Sequence, residues 1–124
     1  MPSTVENTFP GGWEFIGEAF LRRGVPENGL QAIKASLSPS TLRQYSSKLK
    51  KWWQFCISKG YIPFLYSLDA VINFLSDQFQ NSCSYSTLNS QYEALALIFE
   101  INSSDKTILK RFIKGIFNQR PSRP

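Results

Sequence analysis

The chain predicts an all-α fold, in which a four-helix SAM-like domain follows one or two short helices. Three observations lead there. No segment of useful length alternates apolar with polar residues, so no strand is expected. Apolar residues recur instead at three- and four-residue spacing along most of the chain. A serine or proline stands at the head of each of the later periodic runs, where a helix needs partners or tolerance for its free N–H groups.

Residues 1–12 are polar, with Pro2, Pro10 and the Gly11-Gly12 pair, and are expected to be disordered, the glycines acting as a flexible joint. In "WEFIGEAFLRRG", Trp13, Ile16, Phe20 and Leu21 share helical spacing, and Arg22-Arg23-Gly24 is a stop signal. Pro26 opens a short helix through Leu30 and Ile33 to about Ser36. Residues 13–36 are thus read as a helical extension ahead of a main domain at 37–118.

"SPSTLRQYSSKLKKWWQFC" begins that domain. Ser38 is a good N-cap, and Pro39 fits the first helical position, where its missing N–H costs nothing. Leu42, Tyr45, Leu49, Trp52 and Cys56 make one apolar face. Gly60 suits the left-handed conformation that ends a helix, and Pro63 prevents resumption. The helix from Pro39 to Lys59 would be about 31 Å long. Ser67 caps the next, through Leu68, Val71, Ile72, Leu75 and Phe79. Ser84 caps another, through Leu88, Tyr92, Leu95 and Phe99, whose "ALALIF" half is apolar almost all round and marks it as central. Ser104 is read as the cap of the last, with a stripe of Ile108, Leu109, Phe112, Ile113, Ile116 and Phe117. Residues 119–124 read as a linker.

With 124 residues, 42% hydrophobic and 15% aromatic, one domain can build a core without metals or disulfides. Cys56 and Cys83 show no pairing pattern, which points to a reduced intracellular compartment. The longest apolar run, Ala94 to Phe99, is far too short to cross a bilayer, and no signal peptide is evident, so no membrane partner is expected. The absence of histidine removes the commonest general base and metal ligand, together with the Ser/His and Cys/His nucleophile pairs. No Gly-rich phosphate loop is present. Neither a cofactor, nor a small-molecule substrate, nor a catalytic site is expected in this chain.

The net charge of +5 is unevenly distributed. Residues 1–37 hold three basic and four acidic side chains, a net of −1, whereas residues 38–124 hold eleven and five, a net of +6. On the first long helix, Ser40, Arg43, Gln44, Ser47, Lys50, Lys51 and Gln54 lie opposite the apolar stripe, with Lys48 beside them and no acid anywhere on the helix. Mixed charges four apart would stabilise a merely wet face by a few tenths of a kcal/mol per pair, and this face forgoes them. Lysines there suit phosphates, and Arg43 and Gln44 have the donor and acceptor geometry of guanine and adenine edges. The helix headed by Ser84 opens on uncharged hydroxyl and amide groups, Tyr85, Ser86, Thr87, Asn89 and Ser90, which suit a phosphate at a helix N-terminus. Lys106, Lys110 and Lys114 form a row on the last helix, beside Arg111. Each feature also has a plain alternative: a solvated basic face, an ordinary capping sequence, a wet lysine row.

Together, "LSPSTLRQYSSKLKKWWQFCISKG", "LDAVINFLSD", "SYSTLNSQYEALALIF" and "ILKRFIKGIF" resemble the core-binding domain of the tyrosine recombinase (phage integrase) family. The resemblance covers residues 37–118 and rests on Ser40-Thr41, Tyr45, Leu49 and Trp52, on "STLN" and on "IKGIF". "KKWWQFC" and the exit "FNQRPSRP" look most like transposon-borne eukaryotic recombinases, including those of DIRS-type retroelements. The resemblance implies a SAM-like four-helix domain that clamps double-stranded DNA through its first and third helices, with self-association on DNA and, in a eukaryote, a nuclear location. Cleavage in that family belongs to a separate C-terminal domain, so residues 119–124 would lead toward a catalytic part absent here. Ser40, Thr41, Arg43, Gln44, Ser47, Lys48, Lys50, Lys51, Tyr85, Ser86, Thr87, Asn89, Ser90, Lys110 and Lys114 are the candidate DNA contacts. A helical protein-interaction module that has lost DNA binding is the alternative.

Overall fold

The computed structural model describes residues 8–81 and 84–119 and contains six helices, with no strand among the described residues. They are α1 (Gly12–Arg22), α2 (Glu27–Ala35), α3 (Pro39–Lys59), α4 (Leu68–Gln80), α5 (Tyr85–Ile98) and α6 (Ser103–Gln119). The fold is all-α, as expected. Among the described residues no helix is long and apolar enough to cross a membrane.

Most helix ends obey local chemistry. The side chains of Ser38, Ser67 and Ser84 accept from the backbone N–H groups of Thr41, Ala70 and Thr87 at 3.0, 3.0 and 3.1 Å. Gly60 closes α3 in the left-handed conformation, φ 83°. The last helix departs from expectation. It starts at Ser103, and the side chain of Asn102, not Ser104, accepts from Asp105 N–H at 2.8 Å. Asparagine caps as well as serine, and the helix begins two residues earlier than a Ser104 cap would set it.

The division at residue 37 does not divide the core. Phe15 and Ile16 of α1 are wholly buried in the same cluster as Leu49, Trp52, Phe74, Leu95 and Leu109. α1 packs against both α3 and α5, while α5 contacts α1, α3, α4 and α6 and is the central helix its apolar second half predicted. The Gly11-Gly12 pair, read as a joint, leads directly into α1. Gly11 precedes α1 with φ 121°, and a Cβ on buried Gly12 would collide with the Ser46 side chain, so glycine sets how closely α1 approaches α3. Phe9, within the segment expected to be disordered, packs edge-on against Phe15 and Trp53, each at 5.9 Å. Residues 1–7, and 120–124 of the expected linker, lie outside the described residues; Gln119 still belongs to α6.

The core is heavily aromatic. Trp52 meets Phe74 and Phe99 edge-on at 5.4 and 5.8 Å, and Trp53 meets Phe15 and Phe64 at 5.4 and 6.0 Å. Trp53 and Phe55 flank the predicted stripe of α3 and are buried beside it, because α1 and α4 cover its two sides. Arranged in this way, α3 keeps a single face free.

Candidate nucleic-acid interface

That free face carries the expected polar side chains. Ser40, Arg43, Gln44, Ser47, Lys50, Lys51 and Gln54 are all exposed, and Lys48 is half-buried at its edge. Thr41 is half-buried and occupied with its own helix end: its hydroxyl accepts from Ser38 Oγ at 2.9 Å. Thr87 repeats this on α5, accepting from Ser84 Oγ at 3.0 Å. Both threonines therefore brace the serine caps by accepting one hydrogen bond, and each keeps its own O–H to donate.

The cations divide into two populations. All three in the N-terminal segment are engaged with protein groups. Arg22 pairs with Glu18 at 3.0 Å and lies 4.1 Å from the Phe64 ring centroid. Arg23 donates to the Leu97 carbonyl at 3.3 Å and lies over Phe20, and Lys34 sits 5.4 Å from the Trp13 ring. By contrast, none of Arg43, Lys48, Lys50, Lys51, Lys106, Lys110, Arg111 and Lys114 has an acid within ion-pair distance among the described residues. Unpaired cations on a helix face keep their full charge for an external anion.

Tertiary packing brings an acid from α4 toward the face of α3, a helix that has none of its own. Lys51 and Gln54 line a depression of about 440 Å³ between α3 and α4, together with Lys59, Asp77 and Gln78. An adjoining hollow of about 390 Å³ shares Phe55, Lys59 and Asp77 and extends to Tyr61, Asn73 and Gln80. Lys51 thus shares a depression with a carboxylate, while Lys50 is not part of either depression. The acid-free character of α3 is a property of the helix, not of its whole neighbourhood.

A second site gathers residues from α5 and α6. Tyr85 and Asn89 line a groove of about 450 Å³ opposite Lys110 and Lys114, which the sequence treated as separate features. Lys106, Tyr92, Glu93, Ala96 and Ile113 complete it and were not among the expected contacts. Lys106 was recognisable from its four-residue spacing to Lys110; Glu93 and Tyr92 could be placed only by helix packing. Burial, and secondarily the Glu93 carboxylate, push the Tyr92 hydroxyl above its usual range, so it remains a neutral donor. Ser86 is exposed and Ser90 half-buried, and neither lines this groove. On the outer side of α6, Lys110 and Lys114 also border a shallow depression with Thr107 and Arg111.

No group of three or more Cys, Asp or Glu side chains that could hold a metal occurs among the described residues. Cys56 is buried and free, and desolvation raises its thiol to about 12, which makes it a core residue and not a nucleophile. Comparison with protein-family models, curated proteins and solved structures returned no match.

Proposed function

We propose that this chain binds duplex DNA as the core-binding, clamp-like part of a tyrosine recombinase acting in DNA recombination or integration, and that it carries no strand-cleaving chemistry itself. The observation that carries this reading is the contrast between the two cation populations. Arginines and lysines of the N-terminal segment engage protein groups, whereas those of α3 and α6 have no acid within ion-pair distance among the described residues. Backbone phosphates are their natural partners.

Lys50, Lys51, Lys110 and Lys114 take phosphate contacts in this reading. Arg43 and Gln44, which are exposed on α3, take the base-edge contacts in the same reading. An intracellular location, nuclear in a eukaryotic host, follows from the proposed partner. The test is a gel shift with random duplex at low and moderate salt. Binding that weakens steeply with salt is expected; no shift at low salt would remove the proposal.

One observation favours the alternative, a protein-interaction module. Ile62 and Leu65 project from the connection between α3 and α4 and are 58% and 61% exposed. Apolar exposure of this kind serves protein contacts better than DNA contacts. A protein lacking DNA affinity but retaining its fold would give this reading precedence.

A further inference from the structure

We infer that the α5–α6 groove takes a single-stranded nucleic-acid segment, with one base stacked on Tyr85 and its phosphates held by Lys110 and Lys114. The inference rests on the reading of this chain as a nucleic-acid binder, but it uses none of the α3 side chains.

Tyr85 is the starting point. It is 50% exposed at the groove, whereas every other aromatic side chain is buried or half-buried. Its position is nevertheless fixed: the ring packs edge-on against Phe117 at 5.4 Å, and Phe117 in turn against Phe79 at 5.0 Å. A ring braced by packing and still half open to water is a stacking platform with little left to order on binding. Asn89 follows one turn later on the same side of α5 and offers both a donor and an acceptor to a base edge.

The opposite wall supplies the charge. Lys106, Lys110 and Lys114 repeat every four residues, about 6 Å along α6, and none has an ion-pair partner among the described residues. Because Tyr85 abuts Phe117, the Tyr85 end of the groove lies beside Lys114. Glu93, two turns further along α5, faces the Lys106 end and disfavours anions there. The groove is therefore polarised, with its ring, amide and least opposed cation at one end. Its volume of about 450 Å³ falls in the range of small-ligand sites and suits a nucleotide unit. A duplex keeps its base faces stacked inside the helix and cannot present one to Tyr85, whereas an unpaired strand can.

The experiment is fluorescence anisotropy with labelled oligothymidylate and oligouridylate of about 10 nucleotides, and with random duplex. Both single strands are expected to bind the wild type, and any preference between them distinguishes DNA from RNA as the occupant. Tyr85→Leu, which keeps an apolar contact with Phe117, should weaken single-strand binding about tenfold and so shift the ratio of single-strand to duplex affinity toward the duplex. Tyr85→Phe should retain wild-type affinity. Replacing Lys110 and Lys114 together by alanine should flatten the single-strand salt slope by about 1.4 units. Failure of the wild type to bind either single strand, or wild-type affinity in Tyr85→Leu, would overturn the inference. So would equal losses in Tyr85→Phe and Tyr85→Leu. Single-strand binding without duplex binding would overturn the function proposed above and leave this inference supported.

Discussion

The indole Nε1–H of Trp52 donates to the carbonyl of Pro63 at 3.0 Å, inside the core and eleven residues away along the chain. This bond holds the α3–α4 connection against the helix that precedes it. Trp52→Ala should cost about 3–5 kcal/mol, the range for emptying a buried aromatic site. Trp52→Phe keeps most of the packing but leaves the Pro63 carbonyl unsatisfied, for a loss of about 1–3 kcal/mol. Arg43→Ala, on the free face of α3, should stay within about 0.5 kcal/mol. Urea denaturation of the three variants tests the ranking, and comparable losses at Trp52 and Arg43 would mean that the helix faces are misassigned.

The α4–α5 contact contains a buried amide pair. Gln91, 1% exposed, donates to Gln78 Oε1 at 2.8 Å, while its own Oε1 has no partner among the described residues. Gln91→Leu strands the Gln78 oxygen and should cost about 1–3 kcal/mol. The double replacement of Gln78 and Gln91 by leucine should cost less than the sum of the single changes, since no polar group is then left behind. A double-mutant cycle measures this directly; strictly additive losses would show that the two amides act independently.

Two glycines should respond oppositely to alanine. At Gly12 the new methyl meets Ser46, and a loss of about 1–3 kcal/mol is expected. At Gly115, within α6, a Cβ has no atom within 4 Å, and alanine should stabilise by about 0.5–1 kcal/mol through better helix propensity. Thermal melts of both variants, shifted in opposite directions, are the expected result.

Alkaline pH should destabilise the fold. The Cys56 thiol is raised from 9.0 to about 12 by burial, so an unfolded chain releases that proton first. Tyr66 is shifted the same way, by burial and then by its hydrogen bond to Asp105, and Tyr92 by burial and then by Glu93. For Cys56 this contribution is intact below pH 9 and is lost as pH rises toward about 12. Melting temperature should fall across that window. In a Cys83→Ser background, a thiol reagent at pH 8 should label Cys56 only after denaturant is added; rapid labelling of the native protein would contradict its burial.

Removing Lys50 and Lys51 together should flatten the slope of log affinity against log salt for duplex DNA by about 1 to 2 units, equally on any sequence. Replacing Arg43 and Gln44 should alter preference among sites by about 1–3 kcal/mol per good contact instead. Salt titrations of both double variants, with melts as controls, separate the roles. An unchanged slope for Lys50/Lys51→Ala would make those lysines the wet side of a packed helix.

By itself the sequence determined the helices and many of their ends. Ser38, Ser67, Ser84 and Gly60 act within one turn of their own positions, and three-four periodicity identified Leu49 and Trp52 as core. Interactions of such short range are readable from the chain. The exposed face of α3 was legible for the same reason, because it is the complement of that stripe. Tertiary structure alone decided which residues from different helices meet. It drew Phe9 and α1 into the common core, buried Trp53 and Phe55 on the flanks of α3, and set Asp77 and Glu93 opposite lysines whose own helix faces lack acids. It also assembled Tyr85 and Asn89 with Lys110 and Lys114 in one groove. Those outcomes depend on how helices cross, and crossing is fixed by the joint packing of side chains far apart in the chain, which no local spacing records.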